Sequence, residues 1–218
     1  MELEYDIVII TTAVSRSDLH QQIFPKYLEF ISGLKCYWLI NIDQLEEGES
    51  VNDTKENILE ICKSENITIE ITTNKIGGTR ESFYKSCQYL INHAAVIEPK
   101  YGYLWLEDDW YYKGGLTLFD ILQSNEFNSM DYIQLVDRSS ITVSFNPGLW
   151  GVDLFNKLCV PILDKPYSQD NANPERACTY PVKESNDSVD KFIHYILFSD
   201  AGRAWTANKG IWRTFQKS

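Results

Sequence analysis

This sequence holds few of the residues that make a metal cage, a redox pair or a nucleic-acid surface. Its three histidines, His20, His93 and His194, are scattered, and its five cysteines (Cys36, Cys62, Cys87, Cys159, Cys178) form neither a CxxC pair nor a Cys/His grouping. A zinc site and a disulfide framework are therefore not expected, and the thiols read as reduced. No Lys/Arg run appears, and a formal charge of −11 with a pI near 4.7 argues against a surface that tracks nucleic-acid phosphates. No apolar segment reaches the about 18 residues needed for a membrane span. The acidic start, Met1-Glu-Leu-Glu-Tyr-Asp6, leads straight into an apolar run rather than reading as a signal peptide, so a cytoplasmic location is expected. Without an export signal, the glycosylation-type triplets at Asn52, Asn66 and Asn186 read as chance matches. Nor is there a Ser/His/Asp or Cys/His pattern to support covalent nucleophilic catalysis.

What is present is a well-stocked core and a concentrated group of acids. With 218 residues, of which 44% are hydrophobic and 13% aromatic, the chain has the material for one ordinary α/β domain. Its most informative stretch is Tyr101-Gly-Tyr-Leu-Trp-Leu-Glu-Asp-Asp-Trp-Tyr-Tyr112, an apolar run that passes directly into three carboxylates. If the run is a strand, Glu107 and Asp109 share one side with Tyr103 and Trp105, and Asp108 faces the other. Acids where a buried strand emerges lie at the carboxyl edge of the sheet, where open α/β proteins bind ligands. Paired there, they make a hard-oxygen site suited to Mg²⁺ or Mn²⁺. An acidic loop after a core strand is the plainer alternative.

Periodicity places the acids within an alternating pattern. Asp6–Thr12 reads as a buried first strand, and Asp18 to about Ser32 as a helix interrupted by Pro25. Strands are expected at Cys36–Asp43, Ile67–Thr73 and Tyr132–Asp137. Helices are expected at Asn52–Ser64, Arg80 to about Ala95, and Leu116–Gln123. This βαβαβα order predicts a three-layer α/β sandwich on a mostly parallel sheet. Short strands are expected at Ile141–Phe145 and Leu149–Val152, an irregular connection over Lys165–Pro181, and a helix over Val189–Phe198, followed by a basic, tryptophan-bearing tail. His194 in that run reads as a structural histidine.

Several loops carry candidate chemistry. Thr11-Thr-Ala-Val-Ser-Arg16 follows the first strand with hydroxyls and an arginine, but has neither the glycines of GxGxxG nor the GK[ST] of a P-loop. Lys75-Ile-Gly-Gly-Thr-Arg80 opens a helix, whose N-terminus favours anions and whose Arg80 can fork onto a phosphate. Trp150, beside the turn Asn146-Pro-Gly148, either faces a sugar ring or packs in the core, the usual fate of a tryptophan. Glu175 in Asn173-Pro-Glu-Arg176 is either a residue of a helix's first turn or a general base.

Taken together, the first-strand loop, the Gly-Gly-Thr-Arg loop and the strand ending Glu107-Asp108-Asp109 resemble a GT-A glycosyltransferase, with Glu-x-Asp in the D-x-D position. Phe145-Asn-Pro-Gly-Leu-Trp150, Asn173-Pro-Glu175 and the Asp200-x-Gly-Arg-x-Trp205…Gly210-Ile-Trp-Arg213 ending are similar to small soluble glycosyltransferases of large algal DNA viruses. The resemblance implies a Rossmann-like GT-A domain spanning 1–218, with its nucleotide half at about 1–112 and its acceptor half at about 113–218. It implies a hexosyltransferase that moves a sugar from a nucleoside-diphosphate sugar to a glycan or glycoprotein hydroxyl with Mn²⁺ or Mg²⁺, in the host cytoplasm if the chain is viral. Asp109 would be the principal metal ligand, with Glu107 and Asp108 on ribose, metal or metal-bound water. Thr11, Arg16 and Asp43 would line the nucleotide site, Arg80 would steady the diphosphate or donor sugar, and Arg203 and Lys209 would close over the diphosphate as the tail orders. Glu175 would be the base if the reaction inverts, with Asp153 in reserve, and Trp150 would face the acceptor. Two rivals from other classes are a nucleotidyltransferase, which needs a glycine-rich loop absent after strand one, and a non-catalytic nucleotide- or carbohydrate-binding module.

Overall fold

A computed structural model of the protein describes residues 4–45, 49–74, 79–137, 143–168, 173–174 and 187–202. The first strand, β1 (Ile7–Val14), is the axis of the fold. Its alternate side chains feed two cores: Ile7 and Ile9 join one cluster, and Val8 and Ile10 join the other. A strand apolar on both faces must be covered on both, which is why helices flank it on either side. β1 pairs in parallel with β2 (Cys36–Asp43) on one side and with β4 (Gly102–Trp105) on the other, and β2 pairs in parallel with β3 (Ile67–Asn74). Beyond β4 lie β7 (Gly148–Gly151), antiparallel to it, then β6 (Tyr132–Val136), β8 (Phe192–Asp200) and β5 (Trp110–Tyr112). The result is a mostly parallel sheet with order β3-β2-β1-β4-β7-β6-β8-β5.

One face carries α1 (Ser17–Phe30), α2 (Val51–Ile61) and α4 (Leu118–Ser124). The other carries α3 (Arg80–Ala94) and α5 (Val152–Leu158). α1 runs through Pro25 rather than stopping there, because Ile23, Phe24, Tyr27 and Phe30 on either side of it are fully buried. Burial of that face outweighs the lost backbone hydrogen bond and the ring clash of an interior proline, a cost of about 3 kcal/mol. α3 starts at a capping box: Ser82 N donates to Thr79 Oγ1 at 3.0 Å and Thr79 N donates to Ser82 Oγ at 3.1 Å.

Several expectations change. Of the segment expected to be helical over Val189–Phe198, residues 192–198 lie in strand β8 instead, paired in parallel with β6 and antiparallel with β5. A short apolar run fits either period, and here the open edges of β6 and β5 decided the outcome. Of the strand expected over Ile141–Phe145, the described residues 143–145 lie outside any strand, although Val143 and Phe145 are buried. Val152 opens α5 instead of closing a strand. His194, as a residue of β8, contacts the Val136 carbonyl through Nε2 at 3.0 Å, a structural partner as expected.

Candidate nucleotide-sugar site

The carboxyl ends of β1, β2, β3 and β4 point the same way, so the loops that follow them meet along one edge. β4 ends at Trp105, yet the chain continues alongside β1, with Leu106 N donating to Ile10 O at 3.0 Å and Asp108 N to Thr12 O at 3.3 Å. Asp108 accordingly faces the α1 side with Leu104 and Leu106, as alternation requires. Asp109 does not take the opposite side. The chain turns at Asp108–Asp109, and the second acid stays beside the first.

The two aspartates have unlike surroundings. Asp108 is buried and fully engaged: its Oδ2 accepts from Val14 N at 3.0 Å and from Arg16 Nε at 3.0 Å, and lies 2.8 Å from His20 Nε2. Its Oδ1 accepts from Arg16 Nη2. Burial alone would raise this carboxyl, but Arg16 and His20 outweigh it and hold Asp108 well below the usual carboxylate range. Arg16 is itself only 2% exposed. Although burial opposes its charge, Asp108 and Asp109 keep it firmly protonated. Asp109, by contrast, has 28% of its side chain exposed and touches Arg16 Nη2 at 3.4 Å. Burial, Asp108 and Asp200 push its carboxyl up to about 6 against the pull of Arg16.

Tyr27 of α1 braces the acid turn from below. Its hydroxyl donates to the Glu107 carbonyl and accepts from Trp110 N at 3.3 Å, while Trp110 Nε1 donates to Glu107 Oε2 at 3.0 Å. From β8, Ala201 N and Gly202 N donate to the Asp109 carbonyl at 2.8 and 3.1 Å. A second polar group closes the end of β2. Asp43 Oδ1 accepts from Asn41 Nδ2 at 3.0 Å, Asn74 Nδ2 at 2.9 Å and Ser86 Oγ at 3.1 Å, which leaves Oδ2 without a donor among the described residues. Burial raises the Asp43 carboxyl despite these donors.

Among the described residues no group of three or more His, Cys, Asp or Glu side chains is arranged to cage a metal. The donor set fits a cation held at one point. Asp109 is a hard oxygen donor, partly exposed, and crowded by other carboxylates that a cation would relieve. Asp108 has no such vacancy, because four contacts with its own protein occupy its oxygens.

Four expected site residues are placed differently. Thr11 is fully buried within β1 and accepts from Trp38 Nε1 at 2.9 Å, so it packs the interior rather than lining a cleft. Arg16 turns inward onto the acids. Trp150 is 1% exposed, opposite Tyr103 in the sheet and against Tyr132 and Phe145, and offers no face to a sugar. Asp153 is exposed and accepts from Ser129 Oγ, but it follows the wrong end of β7. Because β7 is antiparallel to β4, Gly148 lies beside Trp105 while Gly151 lies beside Gly102. Asp153 therefore belongs to the opposite edge, at least three strand residues (roughly 10 Å) from the acids, and the structure does not bring it together with them. Arg80 is exposed in the first turn of α3. Glu175, Arg203, Lys209 and the glycines of the 75–78 loop lie outside the described residues.

His20, Tyr27, Asp200 and Gly202 were not singled out as site residues by the sequence. The available signal was His20 on the same helical face as Arg16, four residues on, among the apolar Leu19, Ile23 and Phe24. A histidine in such a stripe needs a polar partner, and Asp108 provides it.

No protein-family model matches the sequence, and no curated protein matches it. Solved structures do resemble the fold. The mannosyltransferase PcManGT from Pyrobaculum calidifontis, in complex with GDP-Man and Mn²⁺, superposes with a TM-score of 0.59 at 9% identity, over 94% of this chain and 61% of that one. TarS from S. aureus gives 0.58 at 8% identity, over 88% of this chain and 36% of that one. Its 1–349 fragment in complex with UDP-GlcNAc gives 0.54 at 7% identity, over 88% and 57%. The chain thus spans 36–61% of the length of these proteins. Its fold is that of the GT-A glycosyltransferases, as the resemblance in the sequence implied.

Proposed function

We propose that this protein is a metal-dependent glycosyltransferase that moves a sugar from a nucleoside-diphosphate sugar to a hydroxyl of a glycan or glycoprotein. The observation that carries this reading is the division of labour between the adjacent aspartates: Asp108 is spent on the fold, and Asp109 is presented, partly exposed, at the carboxyl edge of the sheet, the edge at which β2 ends in Asp43. A divalent cation bound there would neutralise charge developing on the leaving diphosphate.

The chain's own residues have separable tasks in this scheme. Asp109 holds the cation, with Glu107, braced by Trp110, as the second acid toward ribose or metal. Asp43 presents Oδ2 to a base N–H, its other oxygen being held by three donors. Arg80, Arg203 and Lys209 supply positive charge to the diphosphate. Glu175 takes the acceptor proton if the reaction inverts. A cytoplasmic location and kinship with viral glycosyltransferases belong to this proposal.

The test is calorimetric titration with GDP, UDP and their sugar conjugates, in Mn²⁺ and in chelator, alongside assay of sugar release and transfer. Binding that needs Mn²⁺, with slow hydrolysis of one conjugate, supports the reading. Metal-supported binding with no turnover on any conjugate favours a binding module, and pyrophosphate release from a nucleoside triphosphate favours a nucleotidyltransferase.

A further inference from the structure

We infer that Gly202 is a positioning residue for the Asp109 carboxylate, and through it for the cation and diphosphate of the proposed reaction. The contact stands on geometry alone, while its ligand rests on the functional reading above.

β8 leaves the sheet beside the acid turn, with Trp110 paired to Asp200 in the last register of β5 and β8. Just past that pair, Ala201 N and Gly202 N both donate to the Asp109 carbonyl, at 2.8 and 3.1 Å. These bonds fix how closely the strand end approaches the acid. A Cβ built on Gly202 would lie 2.2 Å from Asp109 Oδ2, 2.8 Å from Cγ and 2.7 Å from Cβ, all below the 3.0 Å that real Cβ atoms respect. Rotating the carboxylate relieves only the first of these contacts, because Asp109 Cβ is close to its own backbone. The same Oδ2 lies 3.4 Å from Arg16 Nη2. The position of the Asp109 carboxylate is therefore bounded by a buried guanidinium and by a bare stretch of backbone.

The glycine is required for space rather than for its dihedral freedom. Gly33, Gly102, Gly114 and Gly115 have positive φ, whereas Gly202 does not. Gly114 and Gly115 face open space within 4 Å, where Gly202 faces a carboxylate. Any side chain at 202 must push Asp109 off its position or break the bonds from 201 and 202. Displacing a group that orients a metal ligand typically lowers metal affinity about 10–100-fold.

The experiment is Gly202→Ala, read by calorimetry with GDP and UDP in Mn²⁺ and in chelator, and by thermal melting of Gly202→Ala, Asp109→Ala and the double variant. The expected result is a Kd weakened about 10–100-fold in Mn²⁺ but unchanged in chelator. Melting should fall in Gly202→Ala, and the further substitution should cost little in the Asp109→Ala background, where the crowded carboxylate is gone. Wild-type Mn²⁺-supported affinity in Gly202→Ala, or an equal loss of melting temperature in both backgrounds, overturns the inference. If the wild-type protein binds neither nucleotide in Mn²⁺, the functional reading fails and the melting cycle alone decides the contact. If Gly202→Ala does not fold, recovery of folding in the double variant supports the close contact, and failure to recover overturns it.

Discussion

Arg16 and Asp108 stand 92 residues apart in sequence and meet in the interior, with Arg16 Nε donating to Asp108 Oδ2 at 3.0 Å and Nη2 to Oδ1. This two-pronged pair joins the loop after β1 to the acid turn after β4, and His20 adds a third attachment at 2.8 Å. Two fixed charges out of water are costly unless each is fully satisfied, so this pair tolerates little change.

Asp108→Asn should therefore be a stability variant. Leaving the buried Arg16 charge with only the longer contact to Asp109 is expected to cost up to about 3–5 kcal/mol. Urea unfolding monitored by circular dichroism measures it. A variant as stable as wild type would mean that the pair is not formed as described.

Asp109→Asn should show the converse. With part of its side chain exposed and its carboxyl already pushed up to about 6 by burial and neighbouring acids, losing the charge should cost the fold little. Transfer should fall by on the order of 10²-fold or more, the scale of losing a principal electrostatic contact to the leaving group. Near-normal turnover at unchanged melting temperature would remove Asp109 from the mechanism.

Asp43→Asn probes the base. The amide oxygen can still accept from Asn41, Asn74 and Ser86, so the local network should survive with a loss of about 1 kcal/mol. The amide nitrogen, however, takes the place of Oδ2 and presents a donor where an acceptor stood. Nucleotide affinity should weaken roughly 10-fold, the effect of one mismatched hydrogen bond. Calorimetry with the sugar-free nucleotide in Mn²⁺ isolates this from chemistry, and an unchanged Kd would place the base elsewhere.

Glu175→Gln tests the proposed general base. kcat should drop by roughly 10²–10⁴-fold with donor Kd unchanged. If Glu175 only supports a helix's first turn, the variant would instead lose about 1 kcal/mol of stability or less and keep its kcat. Measuring kcat, donor Kd and melting temperature together separates the two.

Much of the scaffold was legible because its signals are local. The apolar runs of β1 and β2, the helical stripe of α1, the Thr79 start of α3 and the acids beyond β4 each follow from periodicity, capping or composition within a dozen residues. Periodicity assigns faces to a segment, but it does not say what will cover them. Phe192–Asp200 became a strand because β6 and β5 offered it backbone partners.

The sequence by itself thus determined an α/β domain with carboxylates at the carboxyl edge of its sheet. Tertiary structure alone decided which carboxylate serves the fold and which faces outward. Asp108 and Asp109 are chemically the same residue, and only the arrival of Arg16 from the loop after β1, of His20 from α1, and of Gly202 from beyond the end of β8, makes them different. The same holds for Asp153 and Trp150, whose places, one at the opposite edge and the other in the core, follow from the antiparallel sense of β7 and the packing around it. Strand direction and long-range partners are settled by which surfaces can be buried together, and that is a property of the assembled chain rather than of any segment.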